Sequence, residues 1–293
     1  MPRKQLVLCL CASMVLLPIA CVPPEDDVED VISYSRDTTM GQIQREGEIT
    51  IALPDDLGPF SAIGEDGEPE GFVAEIAAEI AADLGVEAAY VPASGEESLE
   101  LVKEGEVDLA FPSLGITETL ARQNTLSDPY WITHKRILVP AASDVENGKD
   151  LEGESGQAVC QFEEERTRTD ISEIYGGIKP TDVADFRQCA DELQNGGAAA
   201  TAPDIYLMVL ADELDDYEIR GEQLSSAGYG AAVPEDATDM RSFVNTVLTD
   251  LKSEGRWLNL YEKWLAPVAN RTDVNAPDLT LEEAATLWPR DLE

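Results

Sequence analysis

The sequence has a single histidine, His134, among 293 residues. A Ser-His-Asp triad needs a histidine as its base, and most zinc sites in proteins use histidine or cysteine ligands. One histidine therefore argues against triad catalysis and against histidine-based metal sites. We predict no metal, no cofactor and no catalytic role.

Basic residues are also few. The chain has 20 lysines and arginines against 59 aspartates and glutamates, so its formal net charge is −39. Such a field repels nucleic acid and disfavours anionic solutes unless a local basic cluster overrides it, whereas it mildly favours cations. The simplest interpretation of the acidic residues is a solvated coat that keeps the protein soluble.

Long apolar runs are missing after the first 20 residues. The chain begins with a short basic stretch, then an apolar run over Leu6–Leu17, and then a small residue directly before Cys21. This pattern predicts a signal peptide over residues 1–20, with cleavage at a lipoprotein site and lipid attached to Cys21. Pro18 stands where such signals usually have leucine, so a simple secreted protein and an uncleaved anchor stay open. Residues 21–45 are predicted to form a lipidated acidic tether.

Cysteines are scarce too. Of the five, Cys9 and Cys11 would leave with the signal peptide, and Cys21 would carry lipid. Cys160 and Cys189 remain, and an even pair in an exported domain indicates one disulfide. The alternative is two buried free thiols.

Alternating strand and helix patterns fill the middle of the chain. A strand pattern in EGEITIALPDDLGPF precedes a helical pattern in FVAEIAAEIAADLG, whose Phe72, Ile76, Ile80 and Leu84 form one apolar stripe. The alternation recurs from QAVCQF to AAATAPD, and the strand GYGAAVP then precedes a long apolar-faced helix. This order predicts an α/β fold with parallel sheets flanked by helices, divided into two lobes with a hinge.

Seven segments, in order, resemble the family 3 extracellular solute-binding proteins, which bind polar amino acids for bacterial ABC importers. They are ITIALPDDLGPF, EGFVAEIAAEIAADLGV, LVKEGEVDLAFPSLGIT, LSDPYW, LEGESGQAVC, YGAAVP and GRWLNLYEKW. The resemblance covers Glu46–Pro267. The pair Cys160 and Cys189 also resembles the actinobacterial glutamate-binding branch, which carries a disulfide across the second lobe.

The resemblance implies a two-lobed, type II periplasmic-binding-protein-like fold. Lobe 1 would comprise residues 46–140 plus 233–267, and lobe 2 residues 141–232. Residues 268–293 would be a C-terminal extension with a short helix capped at Asp278 or Thr280. A small polar solute would bind between the lobes of a monomer, and the partner would be an ABC permease in the membrane.

The family's carboxylate clamp is missing. Family members hold the ligand's α-carboxylate with an arginine three residues after the position of Thr117, and this chain has Leu120 there. Gly115 replaces a hydroxyl residue that helps the clamp, and Arg122 lies too far round a helix to substitute, so solvent exposure is expected for it. Burying a ligand carboxylate without its charged partner costs about 2 to 5 kcal/mol, so an amino acid bound in the family manner is not expected.

The second-lobe turn that offers backbone amides to the carboxylate aligns with Glu164, Glu165 and Arg166. The two carboxylates would repel an anion, whereas Arg166 could replace the missing cation. The alternative is a charged, exposed turn.

Asp204 matches the acidic residue that receives the ligand's ammonium group, seven residues after Gly197. Ser113 matches another pocket position, and Phe60 matches a ring that packs beneath the site more often than it touches ligand. For Asp204 the alternative is an ordinary loop carboxylate.

Three functions remain open. The first is an ABC-importer binding lipoprotein with an altered ligand, for which the acidic field favours a cationic solute. The second is a sensor or protein-interaction module that keeps the binding fold without a transport role. The third is a dehydratase-like enzyme on the same scaffold, which the missing arginine disfavours.

Overall fold

The computed structural model describes residues 32–152, 158–162, 170–183, 186–271 and 274–287. The strands are β1 (Glu48–Leu53), β2 (Ala62–Ile63), β3 (Pro69–Glu70), β4 (Glu87–Pro92), β5 (Leu109–Ala110), β6 (Thr125–Leu126), β7 (Trp131–Pro140), β8 (Val159–Phe162), β9 (Pro180–Val183), β10 (Ala199–Pro203), β11 (Tyr217–Tyr229) and β12 (Ala232–Val233). The helices are α1 (Thr39–Glu46), α2 (Phe72–Leu84), α3 (Gly95–Glu104), α4 (Glu118–Gln123), α5 (Ile171–Ile174), α6 (Phe186–Gln194), α7 (Asp204–Glu213), α8 (Thr238–Ser253), α9 (Arg256–Trp264), α10 (Ala266–Ala269) and α11 (Leu281–Ala285).

Two five-stranded sheets organise these elements. The first sheet has the order β4-β1-β5-β12-β6, and the second has the order β11-β7-β10-β8-β9. β1 runs parallel to β4 and β5, and β8 runs parallel to β9 and β10, but β7, β11 and β12 pair antiparallel. The predicted α/β class is confirmed. The sheets were predicted to be parallel, but each contains both parallel and antiparallel pairs of strands.

Within the described residues, two crossings join strands of the two sheets, at residues 127–130 and 230–231. The crossings lie side by side, because the Ser127 amide donates to the Ala231 carbonyl over 2.8 Å and the Tyr130 amide donates to the Tyr229 carbonyl over 2.9 Å. β7 belongs to the second sheet, whereas the predicted lobe 1 extended to residue 140. The alternation in β7 was not recognised, because buried residues occupy both faces of this strand. The lobe division itself stays a prediction.

The predicted helix at FVAEIAAEIAADLG is α2. Its four stripe residues are all fully buried, and it ends at Gly85, which adopts the left-handed conformation with φ 74°. Most of the other residues of α2 are small alanines, which allow close packing against β1 and β4. The spacing of large apolar residues therefore predicted both the element and the face that it buries.

Residues 39–45 differ from the predicted tether, because they belong to α1. Thr38 caps this helix by accepting a hydrogen bond from the Gly41 amide over 3.0 Å, and Met40 and Ile43 are buried. The polar composition of the preceding stretch hid these two apolar residues. Among the described residues, no helix combines the length and apolar character needed to cross a membrane.

The predicted disulfide is confirmed. Cys160 in β8 bonds Cys189 in α6, with their Cα atoms 5.5 Å apart. Both cysteines are buried, so the bond fixes α6 to the second sheet.

The C-terminal extension contains the end of α10 and all of α11. Thr280 caps α11 in a reciprocal capping box with Glu283, which decides between the two predicted caps in favour of Thr280. Ala284 and Ala285 are buried against the first sheet, in one cluster with Ile116 and Leu126.

Candidate functional site

Asp204 lies where β10 ends. All five residues of β10 are buried, and Asp204 is the first residue of α7. In open α/β sheets, ligands bind at the carboxyl ends of the parallel strands, and β10 is parallel to β8. Asp204 therefore follows the carboxyl end of a parallel strand, and its role as a ligand contact stays a prediction.

The Asp204 carboxylate is buried and only partly hydrogen-bonded. The Thr133 hydroxyl donates to Oδ1 over 2.8 Å, while Oδ2 has no hydrogen-bond partner among the described residues. Burial raises the pKa of Asp204 to about 6, although Thr133, the His134 amide, Arg271 and Arg136 act in the opposite direction. A buried acceptor with an unused oxygen can accept a hydrogen bond from a cationic donor.

Ser113 is a second buried polar residue of the site. It follows β5 with φ 55°, a left-handed conformation that is uncommon for residues other than glycine. Its hydroxyl and that of Tyr130 have no hydrogen-bond partner among the described residues. Burial raises the pKa of Tyr130, the nearby Ser113 hydroxyl opposes this, and Tyr206 in α7 adds to it. Tyr130 stands in the first crossing between the sheets, and its hydroxyl lies near that of Ser113.

Phe60 has no exposed surface. Its ring packs against Phe72, Tyr130, Trp131 and Tyr229, with ring centroids 5.9 to 6.4 Å apart. This is the packing role described for the equivalent ring in the family. Tyr130 is therefore packed within this aromatic cluster.

Leu120 lies in a different environment from Asp204. Its amide donates to the Thr117 side chain, which caps α4, and its side chain packs on the apolar cluster that contains Ala284 and Ala285 of the extension. Gly115 is buried, and Arg122 forms an exposed ion pair with Glu118. The expected exposure of Arg122 is therefore confirmed.

Four predicted residues lie outside the described part of the chain. Glu164, Glu165 and Arg166 belong to one such segment, and Cys21 belongs to another. Their roles stay predictions.

Sequence reasoning missed Thr133, Lys135 and Gln161. The Lys135 ammonium is fully buried and donates to the Gln161 side chain over 3.2 Å, and the same amide oxygen accepts from the Ile171 backbone over 3.0 Å. Thr133 and Lys135 are two residues apart in β7, so they occupy one face of the strand. The available signal was the run of four polar residues, 133–136, inside an otherwise apolar strand.

The loop after β1 contacts helices of the second sheet. The Arg187 guanidinium in α6 donates to the Asp56 carbonyl over 3.1 Å. At Gly58, an added Cβ would lie 3.6 Å from a methyl group of Val209 in α7. Leu57 is also buried, so apolar and polar contacts join the two sheets at this loop.

Comparisons with known proteins agree with this architecture. The sequence profile of the bacterial extracellular solute-binding proteins, family 3, matches residues 49–267. The ABC transporter glutamine-binding protein GlnH of Bacillus subtilis (strain 168) is 24% identical over 268 residues, which are 90% of this chain and 97% of that protein. The L-cystine-binding protein TcyJ of Escherichia coli (strain K12) is 24% identical over 239 residues, which are 80% of this chain and 88% of that protein.

Solved structures show the same fold. A P235GK mutant of ArgBP from T. maritima is 29% identical, with a TM-score of 0.61, over 78% of this chain and 99% of that one. The ancestral cationic amino acid solute binding protein AncCDT-1 is 23% identical, with a TM-score of 0.66, over 78% of this chain and 99% of that one. The profile match covers well over half of the chain, and so this protein belongs to the bacterial extracellular solute-binding proteins of family 3.

Proposed function

We propose that this protein is the extracytoplasmic solute-binding component of an ABC-type importer, and that it binds a small polar solute through a cationic group at Asp204. The observation that carries the proposal is the Asp204 carboxylate, which is buried and has an oxygen without a hydrogen-bond partner among the described residues. An ammonium or guanidinium donor would satisfy that oxygen and neutralise the charge.

The nature of the solute follows from what the site keeps and what it lacks. GlnH and TcyJ are described as binding glutamine and L-cystine, which both carry an ammonium group. Here Leu120 replaces the clamp arginine, so a carboxylate on the solute would lose its usual partner. We therefore favour a cation, such as a polyamine or an amine lacking a carboxylate, over a standard amino acid.

Attachment to the membrane is part of the proposal. Cleavage after residue 20 and lipid on Cys21 would hold the protein beside its permease, with an acidic tether ending before α1. Cys21→Ser would test this: we expect the parent, but not the variant, to incorporate a labelled fatty acid in cells. A parent that incorporates no label would contradict the lipid anchor.

A thermal-shift screen tests solute binding. The panel would include amino acids, polyamines, quaternary amines, small peptides and organic acids. A solute at about 100 times its Kd should add roughly 2.7 kcal/mol to the unfolding free energy. We expect a shift with amines and its loss in Asp204→Asn, which keeps the shape of the side chain but removes the charge. The exposed variant Asp191→Asn is the matched control.

A binding-fold sensor or interaction module is the second candidate. It is favoured by Leu120, which stands at the family's clamp position and packs instead on the apolar cluster that contains Ala284 and Ala285. No shift with any member of the panel would support this candidate and contradict the importer.

An enzyme is the third candidate. One structural relative is described as a precursor of cyclohexadienyl dehydratase, but at 22% identity this likeness shows the fold alone. We expect no turnover of prephenate, and dehydration of prephenate by the purified protein would contradict the proposed function.

A further inference from the structure

The C-terminal extension returns across both sheets beyond the part of the chain that the family profile matches. That match ends at residue 267. We call residues 268–271 and 274–287 the strap. The strap follows α9, which packs on α2 and α8 beside the first sheet, and it ends in α11.

The first part of the strap is bound to the second sheet. The Asn270 side-chain amide donates to the Ile219 carbonyl in β11 over 3.1 Å. The Arg136 guanidinium, from β7, donates to the Ala269 carbonyl over 3.3 Å. These bonds join the strap to the two longest strands of the second sheet.

The last part of the strap contacts the first sheet, the first crossing and the end of β11. The Leu281 amide, at the start of α11, donates to the Asp128 carboxylate in the first crossing over 2.7 Å. A Cβ added at Gly228, beside the second crossing, would lie 3.0 Å from the Ala284 methyl group and 3.1 Å from the Pro129 ring. α11 therefore lies against the first crossing and against Gly228, two residues before the second crossing.

Leu120, at the position of the family's clamp arginine, packs on the same part of the strap. Leu120 and Leu281 both pack on the apolar cluster formed by Ala284, Ala285 and residues of the first sheet. An arginine at position 120 would place a charge at the edge of that cluster, at a cost in desolvation. Leu120 is therefore compatible with the packing of the strap on this cluster, whereas an arginine would be unfavourable there.

From these contacts we propose that the strap is a hinge clamp, which holds the two crossings in one arrangement and opposes opening of the lobes. Opening of a two-lobed protein bends the segments that connect the lobes. Here bending the crossings would separate Asp128 and Gly228 from α11, or would pull α10 from the second sheet. The strap therefore adds to the free energy of opening without touching the solute.

A matched pair of variants isolates one clamp contact. Leu281→Pro removes the amide that donates to Asp128, yet proline is tolerated at the first position of a helix. Thr280 already has the extended backbone that a following proline requires, with φ −77° and ψ 164°. Leu281→Ala loses the same side chain but keeps the amide, so the difference between the two variants reports the hydrogen bond.

Amide hydrogen exchange of the whole protein without solute is the measurement. We expect the Ser127 and Tyr130 amides to exchange about five- to tenfold faster in Leu281→Pro than in Leu281→Ala, the scale of one lost hydrogen bond. Amides within α2 should exchange equally in both. Ala284→Glu, which forces a charge between α11 and Gly228, should give a larger acceleration at the crossings.

Two outcomes would overturn the proposal. One is equal exchange of the crossing amides in the Leu281 pair. The other is acceleration of the α2 amides to the same extent as the crossings, which would indicate general destabilisation. Since no solute is involved, failure of the clamp would leave the proposed binding function intact, and failure of the solute screen would leave the clamp intact.

Discussion

Asp204 contributes to stability in a pH-dependent way. Its pKa is raised from 3.8 to about 6, chiefly by burial. Between these two values the folded state binds more protons than the unfolded state, so the unfolding free energy decreases as pH rises from about 4 to about 6. Asp204→Asn lacks this effect. We therefore expect the unfolding free energy of the variant, relative to that of the parent, to increase by roughly 3 kcal/mol between about pH 4 and about pH 6.

Urea unfolding of both proteins at several pH values between about 4 and about 7 measures this difference. Asp191→Asn, on an exposed face of α6, is the control and should follow the parent at every pH. A constant difference between Asp204→Asn and the parent would contradict a raised pKa.

The same carboxylate should make solute binding pH-dependent. A cationic solute needs the ionised form, which decreases from about nine-tenths of the protein at pH 7 to about one-tenth at pH 5 when the pKa is near 6. We therefore expect the Kd of an amine to rise about tenfold from pH 7 to pH 5. Isothermal titration checks this with a primary amine, whose ammonium group stays protonated between pH 5 and pH 7 and can donate to Oδ2. A Kd that does not change with pH would show that the Asp204 carboxylate does not bind the solute.

Gly71 shows how one backbone position can fix a helix. It precedes α2 with φ 116° and ψ 176°, and an added Cβ would lie 2.9 Å from the Phe60 carbonyl oxygen. This conformation is essentially restricted to glycine. Gly71→Ala should therefore lose about 2 to 4 kcal/mol of unfolding free energy, since both the conformation and the contact are unfavourable.

Gly47→Ala is the matched control. Gly47 has φ 77°, and an added Cβ would meet nothing within 4 Å. Only the left-handed conformation is penalised there, so a loss of about 1 kcal/mol is expected. Equal losses in denaturant unfolding would show that the contact with Phe60 has no energetic weight.

The disulfide should stabilise the second sheet through chain entropy. Cys160 and Cys189 are 29 residues apart, and closing a loop of this size contributes about 3 to 4 kcal/mol. Replacing both with alanine should lower the Tm by roughly 10 °C. Calorimetry of the double variant, with the reduced parent as comparison, measures the effect. An unchanged Tm would indicate strain in the native bond that offsets the entropy.

Elements with one buried face were predictable, and elements buried on both faces were not. α2 was found because its large apolar residues repeat at helical spacing. β7 and α7 were missed because apolar residues lie on several sides of each, which removes the period that identifies them. α1 was missed because its two buried residues follow a long acidic stretch.

The site was predictable only where resemblance supplied a position. Asp204 and Ser113 were proposed that way, but Thr133, which donates to Asp204, and Tyr130, whose buried hydroxyl lies near Ser113, were not, because contacts between segments of the chain leave no local pattern. The packing of the strap on the two sheets could not be predicted from the sequence either. Of its two buried alanines, Ala284 becomes informative only once Gly228 lies opposite it.

For the whole molecule, the dominant quantity is a net charge of −39. Like charges repel in the compact state more than in the extended chain, so the charge destabilises the fold at low ionic strength. Screening should relieve this: we expect the Tm to rise by at least about 2 to 4 °C between about 0.05 M and about 0.5 M sodium chloride, which corresponds to roughly 1 kcal/mol.

Two controls separate screening from other salt effects. A neutral osmolyte at equal osmolality should not reproduce the shift, because it leaves the charges unscreened. Replacing sodium chloride with potassium chloride should reproduce it, since screening depends on ionic strength rather than on the ion. A Tm that does not change with sodium chloride would mean that the acidic residues are spaced widely enough to repel weakly. In that case the acidic field would no longer support a preference for cationic solutes, and the preference would rest on Asp204 alone.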